Sequence, residues 1–196
     1  GVSDTVSVEV RLAQPVVSVF PTVEAVTYGT ALTDAMLQGG VAKYGETTVE
    51  GSFAWADEQI TDGLKPNTYS FNVRFTPDDA THYNTADCTV GVTVNKAQQT
   101  ISWQSSFEKL NVFSKVSLGA TASGSKEVVY SIAEGEQEKA SIADNVLSFK
   151  EAGTVHVVAT AAQSEMYESV SDTVSVEVSL AQPVVSVFPT VEAVTY

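Results

Sequence analysis

The sequence predicts an all-β chain built from two small β-sandwiches in tandem. Three observations predict it: the chain repeats itself, its side chains alternate with a period of two, and turn residues recur at short intervals. Residues 2–28 and 170–196 agree at 26 of 27 positions, with Arg11 against Ser179 as the exception, so the chain returns at Val170 to where it stood at Val2. A fainter repeat has half that length. Thr5-Val6-Ser7-Val8-Glu9-Val10 returns as Thr89-Val90-Gly91-Val92-Thr93-Val94 and again, after an equal step, as Thr173-Val174-Ser175-Val176-Glu177-Val178. Ala13-Gln14 returns as Ala97-Gln98 and Ala181-Gln182, Val17-Ser18-Val19 as Ile101-Ser102-Trp103, and Tyr83 as Tyr167.

The repeats set the domain organisation. Module A covers residues 13–96 and module B residues 97–181; residues 1–12 read as the last strand of a preceding B, and 182–196 as the first strand of a next A. Within the modules, period-2 alternation marks Val6, Val8, Val10 and Leu12, then Tyr69, Phe71, Val73 and Phe75. It marks Cys88, Val90, Val92 and Val94, and Val174, Val176, Val178 and Leu180, with residues such as Ser70, Asn72 and Arg74 on the opposite face. Gly39-Gly40, Asp62-Gly63, Lys65-Pro66-Asn67, Pro77-Asp78-Asp79, Ser123-Gly124 and Ala152-Gly153 separate the runs as turns. About seven half-buried strands in a module of this size imply two sheets packed face to face.

Composition agrees and excludes several function classes. Hydrophobic residues are 43% of the 196 and charged residues 17%, a globular balance rich in Val, Thr, Tyr and Phe. No apolar run approaches the 18 or so residues of a membrane span, and Gly1 to Val10 reads as a strand rather than an export signal. Ten basic against 24 acidic residues give a net charge of −14, a surface that repels phosphate backbones and argues against nucleic acid as partner. A single cysteine, Cys88, rules out an internal disulfide framework.

Both modules carry a family resemblance. Val26-Thr27-Tyr28-Gly29-Thr30-Ala31-Leu32, Gly51-Ser52-Phe53-Ala54-Trp55, Phe75-Thr76-Pro77-Asp78-Asp79-Ala80-Thr81-His82-Tyr83-Asn84-Thr85 and Val92-Thr93-Val94-Asn95-Lys96-Ala97 make module A resemble the bacterial immunoglobulin-like repeats of large surface proteins, in particular the MBG type with its Tyr-Gly motif. Module B resembles the group-two bacterial immunoglobulin-like domains through Val129-Tyr130-Ser131-Ile132, Ala140-Ser141-Ile142-Ala143 and Gly153-Thr154-Val155-His156-Val157-Val158-Ala159-Thr160-Ala161. The resemblance implies two tandem immunoglobulin-like β-sandwiches joined end to end, in a repetitive, extracellular setting. It implies no ligand, because such modules serve both as binding heads and as spacers.

The chemistry-bearing residues are few. Tyr83 and Tyr167, just before the final strand of each module, read as tyrosine-corner residues whose hydroxyls tie a loop to the backbone. Cys88 continues the inward series of Val90 and Val92 and reads as a small buried hydrophobe. His82 stands beside Tyr83, and His156 is expected to face outward between Val155 and Val157; neither has a Cys, His or acidic partner at ligand spacing, so no zinc site is expected. The calcium candidates are Asp78, Asp79 and Asp87, without an Asp-x-Asp-x-Asp-Gly frame. Glu134, Glu136 and Glu138 read as a solvated acidic loop. Tyr44, Trp55 and Trp103 are the aromatics from which a sugar platform would be built, yet Trp55 follows Phe53 at strand spacing and Trp103 aligns with Val19, both inward positions. No Gly-x-Ser-x-Gly, His-Glu-x-x-His or phosphate-cradling loop occurs.

The sequence therefore reads as a non-catalytic, cofactor-free repeat segment of a bacterial cell-surface or secreted protein, a stalk or spacer of an adhesin. Ala13-Gln14-Pro15 joins modules without Gly or Ser, so end-to-end stacking with little bending is expected. The alternative is a ligand-binding module that recognises a host glycan or protein through loops at the sandwich ends. Neighbouring repeats are the expected partners, and residues 1–12 and 182–196 are expected to be loosely ordered or to pair head to tail between copies.

Overall fold

A computed structural model describes residues 1, 3–56, 63–124 and 127–184. The turn residue Asp62 and all of the expected strand from Val184 to Phe188 except Val184 lie outside them. The chain is all β: among the described residues the one helical element is a single 3-10 turn, Asp34–Met36. It divides into two β-sandwich units, Gly1–Ala97 with Glu165–Tyr167, and Gln98–Ser164 with Glu168–Tyr196.

The first unit contains β1 (Val16–Val19), β2 (Val26–Thr27), β3 (Val41–Tyr44), β4 (Thr47–Val49), β5 (Gly51–Trp55), β6 (Asn67–Pro77) and β7 (Ala86–Asn95). One sheet has the order β1-β3-β4 and the other β2-β7-β6-β5, so the opening segment contributes a strand to each. Alternation drives this. Along β7, residues Ala86, Cys88, Val90, Val92 and Val94 are buried and their neighbours exposed, so one face meets Ala42, Val49, Val17 and Leu32 from the rest of the unit. The inward register expected for Cys88 to Val94 and for Val73 and Phe75 is present, with Tyr69 and Phe71 half buried.

The second unit contains β8 (Ile101–Trp103), β9 (Leu110–Asn111), β10 (Lys115–Ser117), β11 (Ala120–Ala122), β12 (Val129–Ile132), β13 (Ala140–Ala143), β14 (Val146–Phe149), β15 (Gly153–Ala161) and β16 (Val170–Ser179). The sheet β12-β15-β16-β9 faces β10-β14-β13, with β11-β8 alongside. Val155, Val157, Val176 and Val178 from the first meet Val116, Leu147 and Phe149 from the second in one core.

The half-length repeat is visible in the hydrogen-bonded ladders. The parallel pair Val26↔Val94 returns one module later as Leu110↔Val178, and the parallel bridge Ala13↔Tyr83 as Ala97↔Tyr167. The final hairpins close at Phe75↔Ala86 and at Ala161↔Val170, so the loop carrying Asp78 and Asp79 is two residues longer than its counterpart.

One alignment fails. Trp103 packs against its core as expected, but Val19 is exposed. The register slips between Val17↔Ala42 and Val19↔Val41, and this bulge turns Val19 outward; β8 pairs regularly with β11 and keeps Trp103 inward.

Residues 3–12 form no strand, and Val6, Val8 and Val10 are 82%, 79% and 89% exposed. The same residues at Thr173–Val178 lie within β16, where Val176 and Val178 are buried.

The burial of Cys88 has a chemical consequence. It is 9% exposed, and both the apolar surroundings and the neighbouring Asp87 charge push its thiol above the ordinary range. Native protein should therefore react with a thiol reagent far more slowly than denatured protein; equal rates would refute the register of β7.

Candidate functional site

The loop between β6 and β7 gathers the candidate residues of the first unit. The Asp79 carboxylate accepts the Thr81 N–H at 3.1 Å and the Thr81 hydroxyl at 2.6 Å, and its second oxygen lies 2.7 Å from His82 Nδ1. These bonds hold the Asp79 carboxyl below the usual range. Asp87 lies opposite Arg74 on the ladder and takes it in a two-pronged pair at 2.8 and 3.1 Å, which likewise lowers its carboxyl. Two of the three calcium candidates are thus engaged in separate internal bonds, and Asp78, Asp79 and Asp87 do not converge. Among the described residues no group of three His, Cys, Asp or Glu side chains is placed to hold a metal ion.

Tyr83 ends this loop. Its backbone bridge is built from the Ala13 N–H donating to His82 O at 2.8 Å and the Asn84 N–H donating to Ala13 O at 2.9 Å. Its ring packs on the cluster around Phe75 and meets Tyr44 edge-on at 6.2 Å. At Tyr167 the matching bond runs from the Ala97 N–H to Met166 O at 2.9 Å. The Tyr69 hydroxyl donates to Lys65 O, four residues upstream, at 2.9 Å.

The histidines correct the sequence reading. His82 has Asp79 as partner, and His156 has Glu136, which is neither remote nor freely solvated. The Glu136 side chain is 18% exposed; one oxygen accepts the His156 backbone N–H at 2.7 Å and the other lies 3.0 Å from His156 Nδ1. The physical reason is the ladder. Strand β12 stops at Ile132, opposite Val157, and the Glu136 carboxylate serves the next N–H of β15 in place of a strand residue.

Foremost among the causes, the His156 N–H holds the Glu136 carboxyl below the usual range, with the His156 ring adding to it. A carboxyl whose folded value is depressed contributes stability above its unfolded value and loses it as pH falls through the folded one. We expect the second unit to lose stability below about pH 4.3, the ordinary Glu value, and Glu136→Gln to flatten that acid limb in denaturant titrations. Identical limbs in the two proteins would rule this pair out as the cause.

The aromatics form no common platform. Trp55 Nε1 donates to Thr33 O at 3.0 Å with the ring edge-on to Phe71. Trp103 Nε1 donates to Asp172 Oδ2 at 2.8 Å between Phe107 and Tyr130. Tyr44 lies exposed on β3. One functional position escaped the sequence reading. Gln99 stands where the first module has Pro15, is buried, and donates to Ala162 O at 3.2 Å and Glu168 O at 2.6 Å, stapling the loop before β16. A polar residue at a repeat position that is apolar in the other module was the signal.

A hollow of about 300 Å³ on the second unit lies among Phe107, Lys109, Leu110 and β16. What the geometry defines is a tandem β-sandwich protein in which Asp79, Asp87, Glu136 and Trp103 bond to its own loops and strands. No protein-family model matches the chain, and no curated protein matches it. Among solved structures it is similar to human protocadherin-24 EC1-2, at 15% identity and TM-score 0.37 over 86% of this chain and 98% of that one. It is similar to Drosophila N-cadherin EC1-3, at 12% identity and TM-score 0.32 over 86% and 68% of the two chains. It is also similar to the fibronectin(III)-like modules of Clostridium thermocellum CbhA, at 12% identity and TM-score 0.31 over 85% and 94%. Likeness at this level says nothing of ligand or activity. No helix among the described residues is long and apolar enough to cross a membrane.

Proposed function

We propose that the chain is a non-catalytic spacer from a bacterial surface or secreted protein, extracellular, with module A of the MBG type and module B of the group-two type. Repetition carries this reading: the chain ends agree at 26 of 27 positions, and the two modules share equivalent ladder registers. A part whose copy number sets reach tolerates such duplication, whereas a part tuned to one ligand diverges between copies. The engagement of Asp79, Asp87, Glu136 and Trp103 in internal bonds supports it too.

The test is scattering from this chain and from an array carrying residues 13–180 twice. A strand of ten residues spans roughly 33 Å, so the maximum dimension should grow by a constant increment per added pair. Growth only as the cube root of mass would overturn the spacer reading. Saturable binding of a glycan or host protein by the chain would favour the ligand-binding reading in its place.

A further inference from the structure

Strand β16 occupies a slot in the second unit. It pairs with β15 from Gly153↔Val178 to Ala161↔Val170, and with Leu110 and Asn111 along its other edge. Val176 and Val178 fill the core below it. Three side-chain bonds hold Ser171–Val178 in register: Trp103 Nε1 donates to Asp172 at 2.8 Å, the Thr154 hydroxyl to Glu177 at 2.9 Å, and Thr160 and Ser171 share a hydrogen at 3.0 Å.

Residues Ser3–Val10 are the same eight amino acids as Ser171–Val178. They pair with no strand among the described residues, and their three valines lie in solvent. Every group of Ser171–Val178 that holds β16 is therefore present a second time: Ser3 for Ser171, Asp4 for Asp172, Glu9 for Glu177, and Val6, Val8 and Val10 for Val174, Val176 and Val178. The first departure comes at Arg11, in place of Ser179, whose hydroxyl donates to Leu110 O at 2.9 Å.

We propose that the β16 slot is an exchangeable strand site whose alternative occupant is residues 3–10 of a second copy of this chain. Apart from the Ser179 hydroxyl bond the bonds gained equal the bonds lost, so effective concentration decides the outcome. A tethered strand faces its slot at roughly millimolar effective concentration, and β16 keeps the slot in dilute wild-type protein. When β16 cannot fill it, the second copy does. Donor and slot are different surfaces, so the contact is heterologous and propagates instead of closing. This goes beyond the spacer reading; a complete module ahead of residues 1–12 would give residues 3–10 a slot of their own.

The experiment uses three variants of the full chain. Val176→Asp places a charge where β16 meets the core and leaves residues 3–10 intact; Val8→Asp spoils only the donor; the third carries both substitutions. Mass is followed by analytical ultracentrifugation between about 1 and 100 μM, with hydrogen exchange along β15 reporting whether the slot is filled. Val176→Asp should associate with rising concentration, at least doubling in mass, and protect β15 as it does so. The double variant should remain monomeric with β15 unprotected, and Val8→Asp should match the wild type. A Val176→Asp protein that is monomeric throughout overturns the proposal. If its β15 is nonetheless protected, and loses protection in the double variant, the occupant is the same chain's own segment. Association of the double variant as strongly as the single one also overturns it, since the donor strand then plays no part.

Discussion

Phe75→Ala should destabilise the first unit by about 3–5 kcal/mol. Phe75 is 1% exposed, and its ring lies 5.1 Å from that of Phe53 within a cluster that includes Ala42, Val49 and Ala86. Strands of both sheets line this space, and removing the ring leaves a cavity neither sheet can close without shifting a ladder. A domain of this size has a total stability of about 5–15 kcal/mol, so the loss is a large fraction of what holds the unit folded. Because the second unit has a core of its own, hydrogen exchange should accelerate throughout β6 and β7 and stay unchanged in β15 and β16. Equal acceleration in both would show that the units do not unfold independently.

Gly51→Ala should cost the same unit about 1–3 kcal/mol, by overpacking. Gly51 opens β5 opposite Pro77. A Cβ there would run into the Thr76 carbonyl and come within 2.6 Å of the Phe75 ring. A main-chain carbonyl inside the β5–β6 ladder cannot swing aside, and Phe53 pins the ring. The contrasting substitution is Gly91→Ala on β7, whose Cβ would find nothing closer than Tyr69 O at 4.0 Å. It should be neutral or stabilising, by up to about 1 kcal/mol from a stiffer unfolded chain. Denaturant midpoints for the two variants measure the difference; equal midpoints would mean β5 gives way at little cost.

Much of the fold was legible because its signals are local. The alternation of Cys88, Val90, Val92 and Val94 needs only the two-residue period of a strand to put them on one face. The match of one module onto the other led to equivalent bridges at Tyr83 and Tyr167 without any knowledge of what they touch. The candidate residues were less legible, because each acts through a partner far along the chain. Glu136 meets His156 across 20 residues, where one strand ends sooner than its neighbour. Trp103 meets Asp172 across 69, and no spacing rule connects them. Val19 follows its alignment with Trp103 in sequence but not in space, since a bulge costs little locally and reverses every side chain beyond it.

By itself the sequence determined the class of structure, the duplication and the inward face of the long strands. Only the tertiary structure decided which of two identical segments is a strand. Ser171–Val178 lies in β16, bonded on one edge to β15 and on the other to Leu110; Ser3–Val10, with the same side chains in the same order, lies in solvent. A strand's backbone groups find their partners on other strands, and its apolar face finds cover only in a core that other segments supply. Alternation states which face is to be buried. The neighbours decide whether it is.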